Sequence, residues 1–296
     1  MSTSSSYAAS HIKRERATKE EVGLRRDALF AIVNSMKPMT IRQTFYQASV
    51  RGIVEKAETG YRKVQTDLVL MRKSNEMPYS WIVDNTRWQR KPRTFSSIQE
   101  ALKHTAKFYR KSLWDKAGCY VEIWIEKDAL AGVVMPVTSE YDVPLMVARG
   151  YSSLSYLAPV ADYIRPLNVP CFFYHFGDYD PSGVDAARKV ERTLRELAPN
   201  ADVTFERIAV TPEQIVKWSL PTRATKQSDT RAKGFGPISA DLDAIEPNQL
   251  RMLVRDCIER HLSAADLAVM QTAEDSERAM LLMFVEQAVG GFGEAA

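Results

Sequence analysis

Between residues 120 and 210, short apolar runs alternate with helix-length stretches, and this alternation limits the fold more than any other feature of the 296-residue chain. Strand-like runs at 120–125, 144–148, 169–176 and 203–210 are separated by helical patterns at 129–140, 153–164 and 184–197. A β-α-β-α-β-α-β order with short links predicts a parallel sheet covered by helices on both faces. The run Val169-Pro170-Cys171-Phe172-Phe173-Tyr174 has the aromatic content of a buried strand, and Gly177 marks its end. Ligands bind at the C-terminal edge of such sheets, where loops converge on helix N-termini. Asp178 and Asp180 fall two residues apart at that edge, and Glu126 ends the first strand. Carboxylates so close repel one another unless a proton or cation intervenes, so Mg²⁺, or Mn²⁺ in its place, is the expected cofactor. The same residues also read as a solvated Asp-Pro turn that caps the next helix through Ser182.

The N-terminal part has a different character. Residues 1–118 carry 23 Lys+Arg against 11 Asp+Glu, whereas the remainder carries 17 against 26. The basic half suits a polyanion such as double-stranded DNA and the acidic half suits metal chemistry, although charge runs also occur as plain solvated faces. Residues 1–20 are Ser-rich, then charged, and are expected to form a disordered tail. Helical spacing follows at 21–36, with Leu24, Ala28, Ile32 and Val33 on one face, and Pro38 ends it. Thr40 can cap a second helix over 41–51. A third, over 61–74, places Val64, Leu68 and Met71 inward and Arg62, Lys63, Arg72 and Lys73 outward. Trp81-Ile82-Val83 then reads as a strand before the basic stretch Arg87-Trp88-Gln89-Arg90-Lys91-Pro92-Arg93. Three helices, a strand and a basic hairpin predict a winged helix-turn-helix, with Arg62, Lys63, Arg72, Lys73, Arg90, Lys91 and Arg93 as DNA contacts. A plain three-helix bundle fits the same spacing.

Domain boundaries are expected near 21–115 for this unit and 116–296 for the sheet with its C-terminal helices. Residues 97–111 read as a connecting helix, 219–237 as a polar loop, and 264–289 as a final helix interrupted around 273–276. No apolar stretch approaches the ~20 residues that span a bilayer and no signal peptide precedes the polar start, so a cytoplasmic, nucleoid-associated protein with no membrane partner is expected. Cys119, Cys171 and Cys257 form no zinc-ligand spacing with His11, His104, His175 or His261.

A glutamate at one strand end and an Asp-x-Asp at another resemble the Toprim domain of topoisomerases, primases and related nucleases. The wording of Ile125-Glu126-Lys127-Asp128-Ala129 and Gly177-Asp178-Tyr179-Asp180-Pro181-Ser182-Gly183 is similar to that of the topoisomerase VI A subunit and its meiotic double-strand-break relatives, as is Asp241-Leu242-Asp243-Ala244-Ile245-Glu246-Pro247. In that family a winged-helix tyrosine attacks the DNA backbone from an Arg-containing motif, and Arg42-Gln43-Thr44-Phe45-Tyr46 resembles it. Four residues are about one helical turn, so Arg42 and Tyr46 share a face.

The resemblance covers about residues 21–262. It implies a Mg²⁺-dependent DNA transesterase forming a 5′-phosphotyrosine link, with Tyr46 as nucleophile, Arg42 as its phosphate-binding helper and Glu126, Asp178 and Asp180 as metal ligands. It also implies a homodimer in which the tyrosine of one copy works over the acids of the other. The chain is short for an A subunit, and nothing in it resembles the ATPase module of topoisomerase VI, so strand passage would call for a separate ATPase subunit. Two other readings use the same residues: a Toprim hydrolase in which metal-activated water attacks, and a non-catalytic DNA-binding dimer.

Overall fold

The computed structural model describes residues 18–83, 92–114, 117–226 and 230–293. Helix α1 (Lys19–Met36) begins at a capping box in which Thr18 and Glu21 satisfy each other's backbone N–H groups, and α2 (Ile41–Val50) repeats the device with Thr40 and Gln43. Together with α3 (Glu58–Lys73) they enclose a core of Leu29, Ile32, Val33, Met36, Phe45, Val64, Leu68 and Met71. Leu24, expected on that face, is instead 66% exposed. The first turns of α1 meet α3 through ions: Arg25 and Arg26 grip the buried carboxylate of Asp67 at 2.6 and 3.2 Å, leaving Leu24 outside the apolar contact.

The strand expected at Trp81-Ile82-Val83 is a 3-10 turn, Tyr79–Trp81, followed by one parallel bridge from Ile82 to Met39. Met39 lies in the short link between α1 and α2, which leaves no length for a ladder. Arg87, Arg90 and Lys91 lie outside the described residues. Helix α4 (Ile98–Lys107) is shorter than expected and is capped by Ser97.

The parallel sheet has the order β2-β1-β3-β4, formed by β1 (Tyr120–Ile125), β2 (Leu145–Val147), β3 (Cys171–Phe176) and β4 (Val203–Ala209). Alternation along the strands separates two buried clusters. Val121, Ile123, Ile125, Tyr174 and Phe176 pack with α5 (Asp128–Glu140), while Trp124, Cys171 and Phe173 pack with α6 (Leu154–Ile164) and α7 (Pro181–Leu197). The protein is therefore a mixed α/β fold built on a parallel four-stranded sheet. Beyond the sheet come α8 (Pro212–Lys217) and an antiparallel pair, β5 (Thr222–Ala224), inside the stretch 219–237 expected as a loop, and β6 (Ile238–Ala240) just past it. Strands of three residues, polar and without a long alternation, leave little periodic signal.

Helix α9 (Pro247–Glu259) starts with Pro at its first turn and joins the first cluster, while its Arg251 donates to the carbonyls of Met36 at 2.8 Å and Pro38 at 3.0 Å. Ala244 inserts into the helical core. These contacts hold the three-helix unit against the sheet's C-terminal edge. The last helix, α10 (Ala264–Gly293), runs unbroken through the expected interruption. There Glu274, 6% exposed, accepts from Arg110 at 3.0 Å and from the Lys111 N–H at 2.9 Å, so the polar stretch is consumed by a contact instead of a break. Among the described residues no helix is long and apolar enough to cross a membrane.

Candidate active site at the sheet edge

The C-terminal ends of β1 and β3 lie side by side, with Ile125 paired to Phe176, so Glu126 and the turn Gly177-Asp178 emerge together. Their approach requires glycine. A Cβ on Gly177 would stand 2.6 Å from Glu126 Oε2 and 2.7 Å from His175 Cε1, distances that real Cβ atoms do not show. Gly177→Ala is therefore expected to displace the Glu126 carboxylate and to cost about 1–3 kcal/mol, read as a lowered urea midpoint; an unchanged midpoint would count against this packing. Arg207, largely buried, braces the turn by donating to the carbonyls of Gly177, Asp178 and Val210.

Each carboxylate has defined partners. Glu126 Oε2 accepts the Asp178 N–H at 2.9 Å, and Asp178 Oδ1 accepts the Leu242 N–H at 2.7 Å and Lys127 Nζ at 2.8 Å. Asp180 Oδ1 accepts the Gly183 N–H at 2.8 Å, so Asp180 and not Ser182 caps α7, with Pro181 in the first turn where its missing N–H costs nothing. Its other oxygen is held by Arg223 of β5 at 2.8 Å. The bridge between Tyr179 and Ala240 brings that hairpin to the turn.

A second acidic pair completes the cluster. Asp241 and Asp243 flank Leu242, and Lys127 Nζ lies between Asp243 Oδ2 at 2.6 Å and Asp178. Lys127 is thus the cation that joins the two pairs. On the other side, Tyr46 donates its hydroxyl to Asp241 Oδ2 at 2.6 Å and Arg42 Nη2 reaches the same oxygen at 2.9 Å. Arg42 also approaches Asp243 at 3.8 Å and Arg223 approaches Asp241 Oδ1 at 3.4 Å. Arg42 and Tyr46 do share a face, and the Tyr46 hydroxyl rests on its own chain's Asp241, whereas the resemblance implied acids of another copy.

Burial, then the charge of Asp178, pushes the Glu126 carboxyl up to about 7. Burial, then the hydrogen bond and charge of Asp241, pushes the Tyr46 hydroxyl up to about 12. Burial by itself would raise Asp241 as well, but Lys127, the Tyr46 hydroxyl and Arg42 outweigh it and hold that carboxyl down at about 2. A proton passing from Tyr46 to Asp241 in this arrangement would move steeply uphill, so Asp241 keeps the phenol protonated. For Glu126 the sign is the reverse of a normal ion pair. Its folded value lies above the ordinary 4.5, so the stability it contributes is complete below that value and is lost as pH rises through about 7. In metal-free buffer, wild type is expected to lose on the order of 2–3 kcal/mol relative to Glu126→Gln between about pH 4.5 and pH 8, measured by urea unfolding. Parallel pH profiles for the two proteins would exclude this.

Two cavities open over the cluster and share Arg42. One of about 550 Å³ is lined by Arg42, Tyr46, Lys56, Arg223, Lys226 and Asp241, the other of about 840 Å³ by Arg42, Arg72, Glu126, Lys127, Arg149 and Asp243, among others. Of the described residues expected to contact DNA, Arg72 alone lines one of these cavities, and it also donates to Leu68 O. Arg62 pairs with Glu58 at 3.2 Å, Lys63 pairs with Glu55 at 3.4 Å, Lys73 is exposed, and Arg93 lies over the Phe108 ring at 5.3 Å. Arg207, Arg223 and Asp241 were missed by sequence reasoning. Asp241 stood within a segment already noted, two residues before Asp243, whereas nothing local marks either arginine.

Among the described residues, no group of three acidic, His or Cys side chains is gathered closely enough to hold an ion as it stands. Lys127 and Arg223 provide the neutralising charge instead. The donor chemistry nevertheless suits a hard cation: all the candidate ligands are carboxylate oxygens, and Glu126 is partly buried with Asp178 acting on its charge. Asp178 and Asp180 would first have to release Lys127 and Arg223 before joining Glu126 around an ion. The class these features define is an α/β protein with an acidic sheet edge covered by a basic helical unit. Compared with models of known protein families and with curated proteins, the chain matches none.

Proposed function

We propose that the chain is a Mg²⁺-dependent DNA transesterase similar to the topoisomerase VI A subunit, with a winged-helix unit set over a Toprim sheet. What carries this reading is one observation: Arg42 and Tyr46 from the basic half meet Asp241 from the acidic half in a single cavity. In the proposed reaction Arg42 binds the non-bridging oxygens of a DNA phosphate and the Tyr46 oxygen attacks phosphorus. The bond from phosphorus to the 3′ oxygen breaks, that oxygen leaves as a hydroxyl with the proton given up by tyrosine, and a 5′-phosphotyrosine diester remains. Because one diester replaces another, the break is reversible. Glu126 and Asp178, joined by Asp180, would hold the ion, which neutralises charge developing on the phosphate. Each chain carries one Tyr46, so cutting both strands takes a homodimer; a separate ATPase subunit would be needed for directed strand passage. A nucleoid-associated cytoplasmic setting is part of the same proposal.

A second reading is favoured by the same tyrosine's confinement. Tyr46 is 7% exposed and its hydroxyl is already engaged. In a Toprim hydrolase water would attack and Tyr46 would be structural. Supercoiled plasmid incubated with the protein and Mg²⁺ or Mn²⁺, then denatured, separates the readings. Protein attached to DNA 5′ ends supports the transesterase. Cleavage that leaves no adduct and is abolished by Glu126→Ala supports the hydrolase, and binding without cleavage supports a non-catalytic DNA-binding dimer.

A further inference from the structure

Donors from two elements, α2 and β5, converge on one carboxylate. Asp241 Oδ2 accepts from the Tyr46 hydroxyl at 2.6 Å and from Arg42 at 2.9 Å, and Oδ1 faces Arg223 Nε at 3.4 Å. Lys56, in the wall of the same cavity, feels the Asp241 charge. A carboxylate held by two guanidinium groups and a hydroxyl has the planar, two-oxygen outline that a phosphodiester presents through its non-bridging oxygens, and arginine forks bind either group in the same way. The cavity wall sets Arg42, Lys56, Arg223 and Lys226 against Asp241 and Glu58, with Arg223 shared with Asp180 and Arg42 with Asp243. The cavity of about 550 Å³ opens directly over these groups.

We infer that the Asp241 carboxylate occupies the seat of a DNA phosphodiester, and that a bound strand displaces it from Arg42, Arg223 and Tyr46. This rests on the proposed reading of the chain as a DNA-cleaving protein and adds the location of the phosphate and a restraint on the nucleophile. While Asp241 is seated, the phenol is tied to a carboxylate and the two arginines are engaged; when phosphate takes the seat, the same donors face the group to be attacked. Asp241 is joined to the acidic turn through the neighbouring Leu242, whose N–H is held by Asp178, so the exchange is felt at the acids. The competing account makes Asp241 only a clamp between the basic and acidic halves, and it predicts the opposite effect of removing the charge.

The test is binding of a fluorescent 20-base-pair duplex in EDTA over a range of salt, where no cleavage is expected. Asp241→Asn should bind roughly 10-fold tighter than wild type, with a salt dependence steeper by about one phosphate contact. The charge-matched control Glu58→Gln, which lines the same cavity without touching Asp241, should tighten binding by less than about 3-fold. Asp241→Asn binding no tighter than Glu58→Gln overturns the inference. Should Asp241→Asn fail to fold, wild type carrying 3-fluorotyrosine decides it: the ¹⁹F signal of position 46, assigned by its loss in Tyr46→Phe, should shift when duplex is added, and an unmoved signal in DNA-bound protein overturns the seat. A shifted signal in a protein that forms no adduct with Mg²⁺ keeps the seat and removes the transesterase. An adduct with an unmoved signal removes the seat alone.

Discussion

Tyr46→Phe should lower covalent attachment of the protein to DNA by roughly 10³-fold or more while the protein remains folded, because no other group can take over a missing covalent nucleophile. The fold should tolerate the change. Phenylalanine keeps the ring that packs beside Phe45 and Ala48, and Asp241 retains Arg42 and Arg223 when the hydroxyl is gone. The expected stability cost is that of one hydrogen bond to a charged acceptor, about 1.5–3 kcal/mol. Duplex binding should persist, since Arg42, Lys56 and Arg223 are untouched. The decisive measurement is labelled DNA retained by denatured protein. Equal adduct in wild type and Tyr46→Phe would remove Tyr46 as nucleophile, whatever the cleavage rate.

Lys127→Met is expected to destabilise the fold by about 3–5 kcal/mol at neutral pH, the cost of removing one partner from a buried ion cluster. The Lys127 ammonium lies within 2.8 Å of Asp178 and 2.6 Å of Asp243, which are 9% and 2% exposed. Burial disfavours its charge, yet Asp243, Asp178 and Asp241 together hold its pKa above the usual lysine value. Without it two desolvated carboxylates face each other, and Arg42, at 3.8 Å from Asp243, is too distant to replace both contacts. The loss should shrink as pH falls, because burial already raises the Asp178 carboxyl against the pull of Lys127, and the folded variant without that cation takes up a proton there more readily than the unfolded chain. Urea unfolding at pH values near 7 and 5 tests both parts. A loss below about 1 kcal/mol at neutral pH would show that Lys127 is dispensable to the cluster.

The parallel sheet and its helices were legible in the chain because short strand-like runs and a helical period of about 3.6 residues are local properties, and all four strands fall within such runs. The cap on α2 was legible for the same reason, as Thr40 and Gln43 are three residues apart. Leu24 misled because ions, not apolar side chains, join the first turns of α1 to α3. The hairpin carrying Arg223 was hidden by its length, and the unbroken α10 by a polar stretch whose buried Glu274 is paired from far away in the chain.

Glu126, Asp178 and Asp180 could be picked out because strand ends locate them within short windows, whereas Arg42 and Tyr46 were singled out by the resemblance. Their partners could not. Asp241 and Arg42 are separated by 199 positions and Asp243 and Lys127 by 116, and no local pattern encodes a contact across such distances. The docking of the helical unit on the sheet edge decided that Tyr46 and Arg42 lie against Asp241, and the packing of residues 222–243 on the same edge made Lys127 a bridging cation and brought Arg223 to the same acid. The reason is physical: periodicity assigns a side chain to a face, but which charge it meets there depends on burial and on what the packed chain brings opposite.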